Sequence, residues 1–223
     1  MTVGVLAFQG DFSEHHQILK DLGVQSIDVR NFGDLSKVSA LIIPGGESTV
    51  IAKFLEETGV GREIIRRSAI SERSAESKAE RAGKAERQKI LNGSGMLPAV
   101  DSQSLSVFGT CAGAIVLAKK ATGKNAPKTL GLIDVTIDRN AYGSQVDSFE
   151  VSLKIKGLKE PVDVAFIRAP KIVKVGKDVD VLATYKGNPV LVRQGNVMIA
   201  TFHPEVRNQN NIHRLFLSSL KVS

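Results

Sequence analysis

The sequence predicts an α/β layered fold with a largely parallel sheet. Short apolar, β-branched runs alternate with segments of helical periodicity in the first half of the chain. Several of these runs stop at glycine-containing turns that open a helix, which is typical of strands joined by crossover helices. Strand-like runs then dominate from residue 130 onward.

Each predicted element follows from a local pattern. In the first half, strands are predicted where apolar runs meet turn residues, at 2–8, 24–30, 40–44 and 104–108. Helices are predicted from Ser13 to about Leu22 and over 48–59 and 112–121. In the second half, strands are predicted at 130–138, 148–156, 162–169, 178–185, 188–194 and 196–202. Gly195-Asn196 is predicted as a hairpin turn, and an amphipathic helix over 210–220 closes the chain.

The positive charge of the chain is concentrated in one segment. The net charge is +7, and residues 61–90 supply +4 of it, with nine Lys or Arg against five Glu. Good helix formers and scarce large apolar residues predict a solvent-exposed helical excursion there. No aromatic side chain interrupts the basic run to stack on bases, so we expect no nucleic-acid binding. We predict a single domain over 1–223 with a charged helical insertion at about 61–100.

Targeting and redox features favour the cytoplasm. The N-terminus has no basic leader before its first acidic residue, Asp11, and is not typical of a signal peptide. No apolar run approaches the roughly 18 residues of a membrane span. Cys111 is the single cysteine and cannot form an internal disulfide. We therefore expect a protein of a reducing compartment, the cytoplasm, with no membrane partner.

The single cysteine lies in a setting typical of a nucleophile. GTCAG at 109–113 joins a predicted strand to a predicted helix, with sulfur where G-x-S-x-G turns carry oxygen. The flanking glycines permit a sharp turn that presents the thiol at the carboxyl edge of the sheet. The helix that follows favours the thiolate, and its free amides from Ala112 onward can stabilise an oxyanion. A lone cysteine is more often buried and inert, but this frame favours a nucleophile.

A thiol nucleophile needs a base, and His203 is the best placed of the four histidines. It directly follows a predicted strand, in TFHPEV, whereas the other three lie within predicted helices. For His213, in the last helix, a solvated or packing role is the simpler interpretation. Glu205 can hold the imidazole of His203 in one tautomer. We predict a relay in which Cys111 is the nucleophile, His203 the general base and acid, and Glu205 the orienting group.

A third element is IPGGES at 43–48, where a predicted strand runs into two glycines and a helix start. Its backbone amides can complete an oxyanion hole or grip a carboxylate, and a plain strand-to-helix turn with a serine cap is the alternative. Signatures of other sites are missing from the sequence. No C-x-x-C or H-E-x-x-H spacing predicts a metal, and no GxGxxG predicts a dinucleotide.

Taken together, these motifs resemble a known family. GTCAG with HPE is similar to class I, triad-type glutamine amidotransferases. The ordered set IPGGEST, GTCAG, RNAYG, FIRAP and FHPE, with the opening GVLAFQG, resembles more narrowly the glutaminase subunits of pyridoxal phosphate synthase, the PdxT/SNO family. The resemblance covers nearly the whole chain except about residues 61–100. It implies a three-layer α/β/α fold around a mixed, largely parallel sheet, and hydrolysis of glutamine to glutamate and ammonia.

The resemblance also implies roles for individual residues. Cys111 would attack the side-chain amide of glutamine to form a thioester, while His203 shuttles protons and Glu205 orients it. Gln9 matches a position near the oxyanion site and the partner contact. The glutamine-binding positions match Gly46, Glu47, Ser48, Arg139, Ile167 and Arg168, and the oxyanion hole is expected at Gly46 and Ala112. Without the resemblance, the two arginines would be interpreted as ordinary salt-bridge partners at strand ends.

Partners and cofactors are implied by the same resemblance. Ammonia would pass to a synthase subunit with a (β/α)8 barrel, which builds pyridoxal phosphate and activates the glutaminase on docking. The glutaminase itself would need no cofactor. Two features depart from the family pattern. Ser144 stands where Arg is usual, and Cys111 follows Glu47 by 64 positions, a wider spacing than the family leads us to expect.

Three alternatives are left open by the sequence. The chain could serve another synthase, such as the imidazole glycerol phosphate enzyme, although its nucleophile and glycine-loop motifs usually differ. It could be a catalytically silent scaffold that only regulates a partner, which the intact set of Cys111, His203 and Glu205 disfavours. It could be a thiol hydrolase on a related fold, where the third member of the relay often differs.

Overall fold

A seven-stranded mixed sheet forms the centre of the computed structural model, which describes residues 1–69, 104–139, 148–206 and 210–220. The strands are β1 (Thr2–Leu6), β2 (Gln25–Val29), β3 (Ala40–Ile43), β4 (Ser106–Thr110), β5 (Ala118–Thr122), β6 (Ile133–Asp138), β7 (Phe149–Leu153), β8 (Val162–Phe166), β9 (Lys171–Val175), β10 (Asp180–Tyr185), β11 (Asn188–Gln194) and β12 (Val197–Ala200). The helices are α1 (Phe12–Asp21), α2 (Phe32–Leu35), α3 (Ser48–Glu57), α4 (described over 60–69), α5 (Ala112–Leu117) and α6 (Asn211–Ser218).

The strand order of the central sheet confirms the predicted, largely parallel arrangement. The order is β10-β11-β12-β4-β3-β1-β2, and the pairs from β12 across to β2 are all parallel. The antiparallel pairs β10–β11 and β11–β12 close the other edge, and the predicted hairpin turn at Gly195-Asn196 joins the second pair. Two smaller sheets, β5-β6-β9 and β7-β8, pack beside this one.

Both faces of the central sheet are covered, which gives the expected three layers. Side chains alternate between the faces along each strand, so Ile42 and Leu41 enter different cores. The core that contains Ile42 also takes apolar side chains from α1, α6 and the β7–β8 pair. The core that contains Leu41 takes them from α3, α4, α5 and the β5-β6-β9 sheet. Full burial of each such aliphatic side chain stabilises the fold by about 1.5–3 kcal/mol.

One local prediction is wrong after β4, and one strand has no counterpart in the predictions. The helix predicted over 112–121 ends at Leu117, and the next five residues form β5 instead. The amide of Leu132 bonds the carbonyl of Leu117, so the chain leaves the helix to pair in parallel with β6. Strand β9, with the sequence KIVKV, was not predicted, because its burial follows its antiparallel pairing with β6 rather than a clear alternation.

The start of the predicted insertion contributes to the core rather than to an exposed surface. Val60 and Ile64 of α4 are fully buried. Arg67 is also buried, and its guanidinium donates hydrogen bonds of 2.7 Å to the backbone carbonyls of Leu35 and Val38. The expectation of a solvent-exposed excursion is therefore wrong for 61–69. The rest of the predicted insertion, from residue 70 to about 100, lies outside the described residues.

Within the described ranges, none of the helices is long and apolar enough to cross a bilayer.

The turn between β4 and α5 depends on close backbone packing. A Cβ on Gly113 would lie 2.0 Å from the carbonyl oxygen of Ile43, so the first turn of α5 rests directly on β3. A Cβ on Gly109 would lie 2.7 Å from the backbone carbonyl of Gly113, so the end of β4 is equally close to the helix. Only glycine permits this approach at both positions. The two glycines predicted to shape the GTCAG turn therefore do so by packing.

Substitution Gly113→Ala tests this contact. Because the new methyl group would meet backbone rather than a flexible side chain, we expect a loss of about 1–3 kcal/mol in the free energy of unfolding. Urea unfolding followed by circular dichroism measures it. Gly33→Ala is the matched control, since Gly33 is exposed on α2 and its Cβ would approach only a side-chain oxygen of Asn31. Equal stability of the two variants would contradict the packing argument.

Candidate active site

Four adjacent parallel strands end at one edge of the sheet and bring most of the predicted site residues together. Strand β4 leads into Cys111, β12 into His203, β3 into Gly46 and β1 into Gln9. Ligands of open α/β sheets bind in the crevice outside the carboxyl ends of such strands. The topology therefore places the predicted thiol, its base and the glycine loop around one crevice.

The strained backbone conformation of the turn lies at Cys111 itself rather than at the flanking Gly109 or Gly113. The φ of Cys111 is 48°, in the left-handed region that non-glycine residues seldom occupy. Strain of this kind costs about 1–3 kcal/mol and persists only where the surroundings impose it. Here the amide of Cys111 bonds the carbonyl of Ala200 at 2.9 Å, which fixes the turn to the end of β12. The sulfur lies 3.9 Å from the carbonyl oxygen of Ile167, so a predicted substrate position adjoins the thiol.

His203 is held on several sides. Its Nδ1–H donates to Oε1 of Glu205 at 2.7 Å, and its backbone amide donates to the carbonyl of Ala165 at 2.8 Å. Gly45 lies against the ring, because a Cβ there would be 2.4 Å from Cε1. With Nδ1 bonded to Glu205, Nε2 is the ring nitrogen that remains to exchange a proton with Cys111. His203 and Glu205 of the predicted relay are thus in direct contact, and hydrogen bonding with Cys111 is among the causes that set the pKa of His203.

The charge environment of His203 favours its protonated form. Burial would lower the pKa of His203, but hydrogen bonding and charge interaction with Cys111 and Glu205 raise it from 6.5 to about 10. The side chain of Glu205 is fully buried, and this desolvation raises its pKa. The buried carboxylate is therefore stabilised chiefly by the imidazolium that it orients.

One other acidic group faces His203. Oδ2 of Asp11 lies 3.5 Å from Nδ1 of His203, and ligand atoms of Asp11, His203 and Glu205 all lie within 4.8 Å of one another. This is the one group of three potential metal ligands that lie this close together among the described residues. The 2.7 Å hydrogen bond already engages Nδ1 with Glu205, so we interpret the cluster as a carboxylate–imidazole network.

The predicted glutamine-binding loop is tied to Arg139. The Arg139 guanidinium forms a very short hydrogen-bonded ion pair with Glu47 and donates to the carbonyl of Asn125 at 2.8 Å. Glu47 also caps α3 by accepting from the amide and hydroxyl of Thr49. Partial desolvation would raise the pKa of Glu47, but hydrogen bonds from Thr49 and the charge of Arg139 lower it. Glu47 therefore stays ionised beside the crevice.

The remaining predicted residues are placed with less direct contact. Gly46 is exposed with φ of 142°, a conformation that favours glycine, and its Cα is near the backbone of Gly10. Ser48 is buried, and its hydroxyl has no hydrogen-bond partner in the part of the chain that is described. Ala112 is the buried first residue of α5. Arg168 has an exposed side chain and a strained φ of 45°. Ser144 lies outside the described residues.

Sequence reasoning missed the residues behind Glu205. His15 and His213 are fully buried and hydrogen-bonded to each other, contrary to the simpler interpretation of His213 as solvated or merely packed. The apolar spacing of Ile212 and Phe216 around His213 was a signal for burial. Its contact with α1 depends on tertiary packing, and the local pattern contains no sign of it.

Comparisons with known proteins agree with the geometry. The model of the SNO glutamine amidotransferase family matches residues 5–75 and 85–222. Residues 76–84, which the match leaves out, fall within the predicted insertion. A pyridoxal 5'-phosphate synthase subunit PdxT from Thermosipho africanus is 40% identical over 222 residues, covering 99% of this chain and 100% of the relative. Its counterpart from Thermus thermophilus is 41% identical over 215 residues, covering 96% and 95%.

Solved structures give the same result at the level of the fold. A crystal structure of a glutamine amidotransferase matches with a TM-score of 0.77 and 41% identity, covering 97% of each chain. The structure of PurLQS from Thermotoga maritima matches with a TM-score of 0.61 over 99% of each chain. At 17% identity the second likeness shows the fold alone.

The protonation of His203 is testable by NMR. We expect its ring to titrate near pH 10, and we expect Cys111→Ala to lower that pKa because the sulfur is one of the groups that raise it. Ring ¹⁵N shifts across pH 5–11 measure both values. Since the pKa is raised on folding, the stability that it contributes is complete below about pH 6.5 and is lost as the pH rises through about 10. An unchanged pKa in Cys111→Ala would contradict the proposed coupling.

Proposed function

Because the chain belongs to the SNO glutamine amidotransferase family, we propose that it hydrolyses L-glutamine to L-glutamate and ammonia and delivers the ammonia to a pyridoxal 5'-phosphate synthase. The observation that carries the proposal is the hydrogen bond between His203 and Glu205, which holds the imidazole beside Cys111 on its strained turn. This is the arrangement of an activated thiol nucleophile. Vitamin B6 synthesis is then the process that the ammonia serves.

The first half of the reaction forms a thioester. An imidazolium at His203 next to the sulfur favours the thiolate, which attacks the side-chain carbonyl carbon of glutamine. The carbonyl oxygen takes up the negative charge, and the backbone amides of Gly46 and Ala112 stabilise it. As the carbon–nitrogen bond breaks, Nε2 of His203 gives its proton to the departing nitrogen, so that ammonia leaves and an acyl-enzyme at Cys111 remains.

The second half of the reaction is hydrolysis. His203, now neutral, removes a proton from a water molecule as its oxygen attacks the thioester carbon. The carbon–sulfur bond breaks, the new carboxylic acid loses its proton to solvent as glutamate is released, and the thiolate and imidazolium are restored. Throughout, the carboxylate of Glu205 keeps Nδ1 protonated, so that the transfers to and from the imidazole use Nε2.

The ion pair of Glu47 and Arg139 is suited to the zwitterionic end of glutamine. We propose that Arg139 binds the α-carboxylate and Glu47 the α-ammonium. The two charged groups of glutamine would then replace the contact that Arg139 and Glu47 make with each other. The hydroxyl of Ser48, which has no partner among the described residues, and the side chain of Arg168 are proposed to make further contacts with glutamine, while the carbonyl of Ile167 lies beside the sulfur of Cys111. Discrimination between glutamine and glutamate then depends on the amide end, next to Cys111.

We also propose the partner. The relatives at 40–41% identity are named as subunits of pyridoxal 5'-phosphate synthase, and their matches span almost the whole chain. This favours a (β/α)8-barrel synthase subunit as the recipient of ammonia, over the imidazole glycerol phosphate enzyme. The assembled relay favours an active enzyme over a silent scaffold. Neither proposed half-reaction requires a cofactor, and a free cysteine nucleophile fits a reducing cytoplasm.

Removing the nucleophile or the base tests the mechanism. With the synthase partner present, we expect Cys111→Ala to reduce glutamate formation by about 10⁴-fold or more, since the covalent route is lost. His203→Asn should reduce it by about 10²–10⁴-fold, the range for loss of general acid–base catalysis. Val173→Thr, on the exposed face of β9, is the control that should match wild type. A wild type no faster than Cys111→Ala would refute the glutaminase proposal.

The substrate-binding role of Arg139 is separable from chemistry. We expect Arg139→Gln to raise KM about 10–100-fold, because hydrogen bonds to charged groups contribute about 1.5–3 kcal/mol, while kcat changes much less. Steady-state kinetics over a wide glutamine range measure both. Lys128→Gln is the control, since it breaks a comparable but exposed ion pair with Glu56. An unchanged KM in Arg139→Gln would place the α-carboxylate elsewhere.

A further inference from the structure

A pair of buried histidines lies directly behind Glu205. His15 comes from α1 and His213 from α6, and both are completely buried. Nδ1 of His15 and Nε2 of His213 are 2.7 Å apart, the length of a strong hydrogen bond. On its other side, Nε2 of His15 faces Oε2 of Glu205 at 3.6 Å and the hydroxyl of Thr110 at 3.5 Å. The proposed relay therefore continues inward through two further imidazoles.

The buried atoms that lack hydrogen-bond partners determine which ring nitrogen of each histidine carries the proton. Oε2 of Glu205 and Nδ1 of His213 are buried, and neither has a hydrogen-bond partner among the described residues. If His213 donates from Nε2 to Nδ1 of His15, then His15 carries its proton on Nε2 and directs it at Oε2 of Glu205. The opposite arrangement would leave a buried N–H on His213 with no acceptor and would set a nitrogen lone pair against the carboxylate. Both are costly in a dry interior.

Both histidines of the pair are neutral. Burial and then the nearby His213, His203 and His16 hold the pKa of His15 well below its usual value. Burial alone lowers the pKa of His213 to about 4. His15 thus offers Glu205 a dipole rather than a charge, and His203 remains the charged partner of the carboxylate. A second carboxylate, that of Asp11, also faces Nδ1 of His203, beside Glu205.

The pair is anchored to the strand that carries the thiol. The ring of His213 meets Phe108 edge-on, with centroids 5.9 Å apart, and Phe108 also packs on Phe216 of α6. Thr110, at the end of the same strand, contacts His15 and immediately precedes Cys111. Strand β4 therefore sets the position of both the nucleophile and the inner histidines.

We propose that His15 is a positioning residue that holds the second oxygen of Glu205, and that His213 fixes the tautomer of His15. This inference rests on the proposed glutaminase function. With Oε2 turned toward His15, Oε1 stays directed at Nδ1 of His203, and the carboxylate cannot rotate away during the two proton transfers. The 3.6 Å separation is that of a charge–dipole contact, and a shift of a few tenths of an ångström would make it a hydrogen bond.

The kinetic test compares two variants at each histidine. His15→Phe preserves an aromatic shape without the N–H. We expect kcat to fall about 10–100-fold with KM unchanged, the size of loss seen when a group that orients a metal-ligating histidine is removed. His15→Gln places an amide donor near the position of Nε2 and should restore most of kcat. His213→Phe and His213→Gln should behave in the same way, with smaller losses. Gln17→Ala is the control, because Gln17 lies on the exposed side of α1 and its side-chain amide bonds Asp21.

The pH profile separates positioning from simple packing. The hydrogen bond that Nδ1–H of His203 donates to Glu205 is one cause of the raised pKa of His203, so a misoriented carboxylate should lower that pKa. We expect the pKa of His203 to be lower in His15→Phe than in wild type, and close to wild type in His15→Gln and Gln17→Ala. A fall in kcat in His15→Phe with an unmoved His203 pKa, or equal losses in the Phe and Gln variants, would overturn the proposal.

A measurement on the wild-type protein tests the proposal even if the variants fail to fold. Ring ¹⁵N NMR should show His15 and His213 both neutral and both protonated at Nε2 at pH 7. A proton on Nδ1 of His15 would overturn the proposal whatever the kinetics show. This measurement needs no turnover, so a wild type without glutaminase activity would refute the proposed function alone and leave the positioning claim to the NMR result.

Discussion

The contact between the first turn of α5 and strand β3 is the constraint on which the site depends. Because Gly113 rests on the carbonyl of Ile43, the chain must reverse within two residues of the end of β4. Cys111 occupies that reversal and takes a positive φ. The bond from its amide to Ala200 couples this turn to β12, which leads into His203. The proposed nucleophile and its proposed base are therefore positioned by the same local packing.

Behind this turn, the protein keeps a carboxylate where water does not reach it. Glu205 has one oxygen on the imidazolium and the other facing a neutral imidazole. A buried charge is expensive unless it is paired, and removing one partner costs more than the pair contributes. Helices α1 and α6 thus supply polar groups to the site through the side of the sheet that otherwise forms an apolar core.

Sequence predicted the features that are local and missed those that are not. GTCAG, HPE and IPGGES each lie at a strand end, so their meeting at one edge follows from parallel pairing. The end of α5 at Leu117 depends on a hydrogen bond from Leu132, fifteen residues away, which no helix pattern encodes. Likewise the sequence of α4 predicts a charged, exposed helix, yet Arg67 is buried because its guanidinium bonds backbone carbonyls of another segment. The pairing of His15 with His213 joins the two ends of the chain and has no local signal.

The glycine behind the His203 ring limits how the enzyme can handle its protons. Gly45 lies against Cε1, the backbone amide is bonded to Ala165, and Nδ1 is bonded to Glu205, so the ring has little room to swing. A histidine held in this way cannot carry a proton from one place to another by turning. In the proposed mechanism, the sulfur, the departing ammonia and the incoming water must instead interact with the same nitrogen in succession. Ammonia must therefore clear that nitrogen before water can take its place, which sets the order of exit and entry at the crevice.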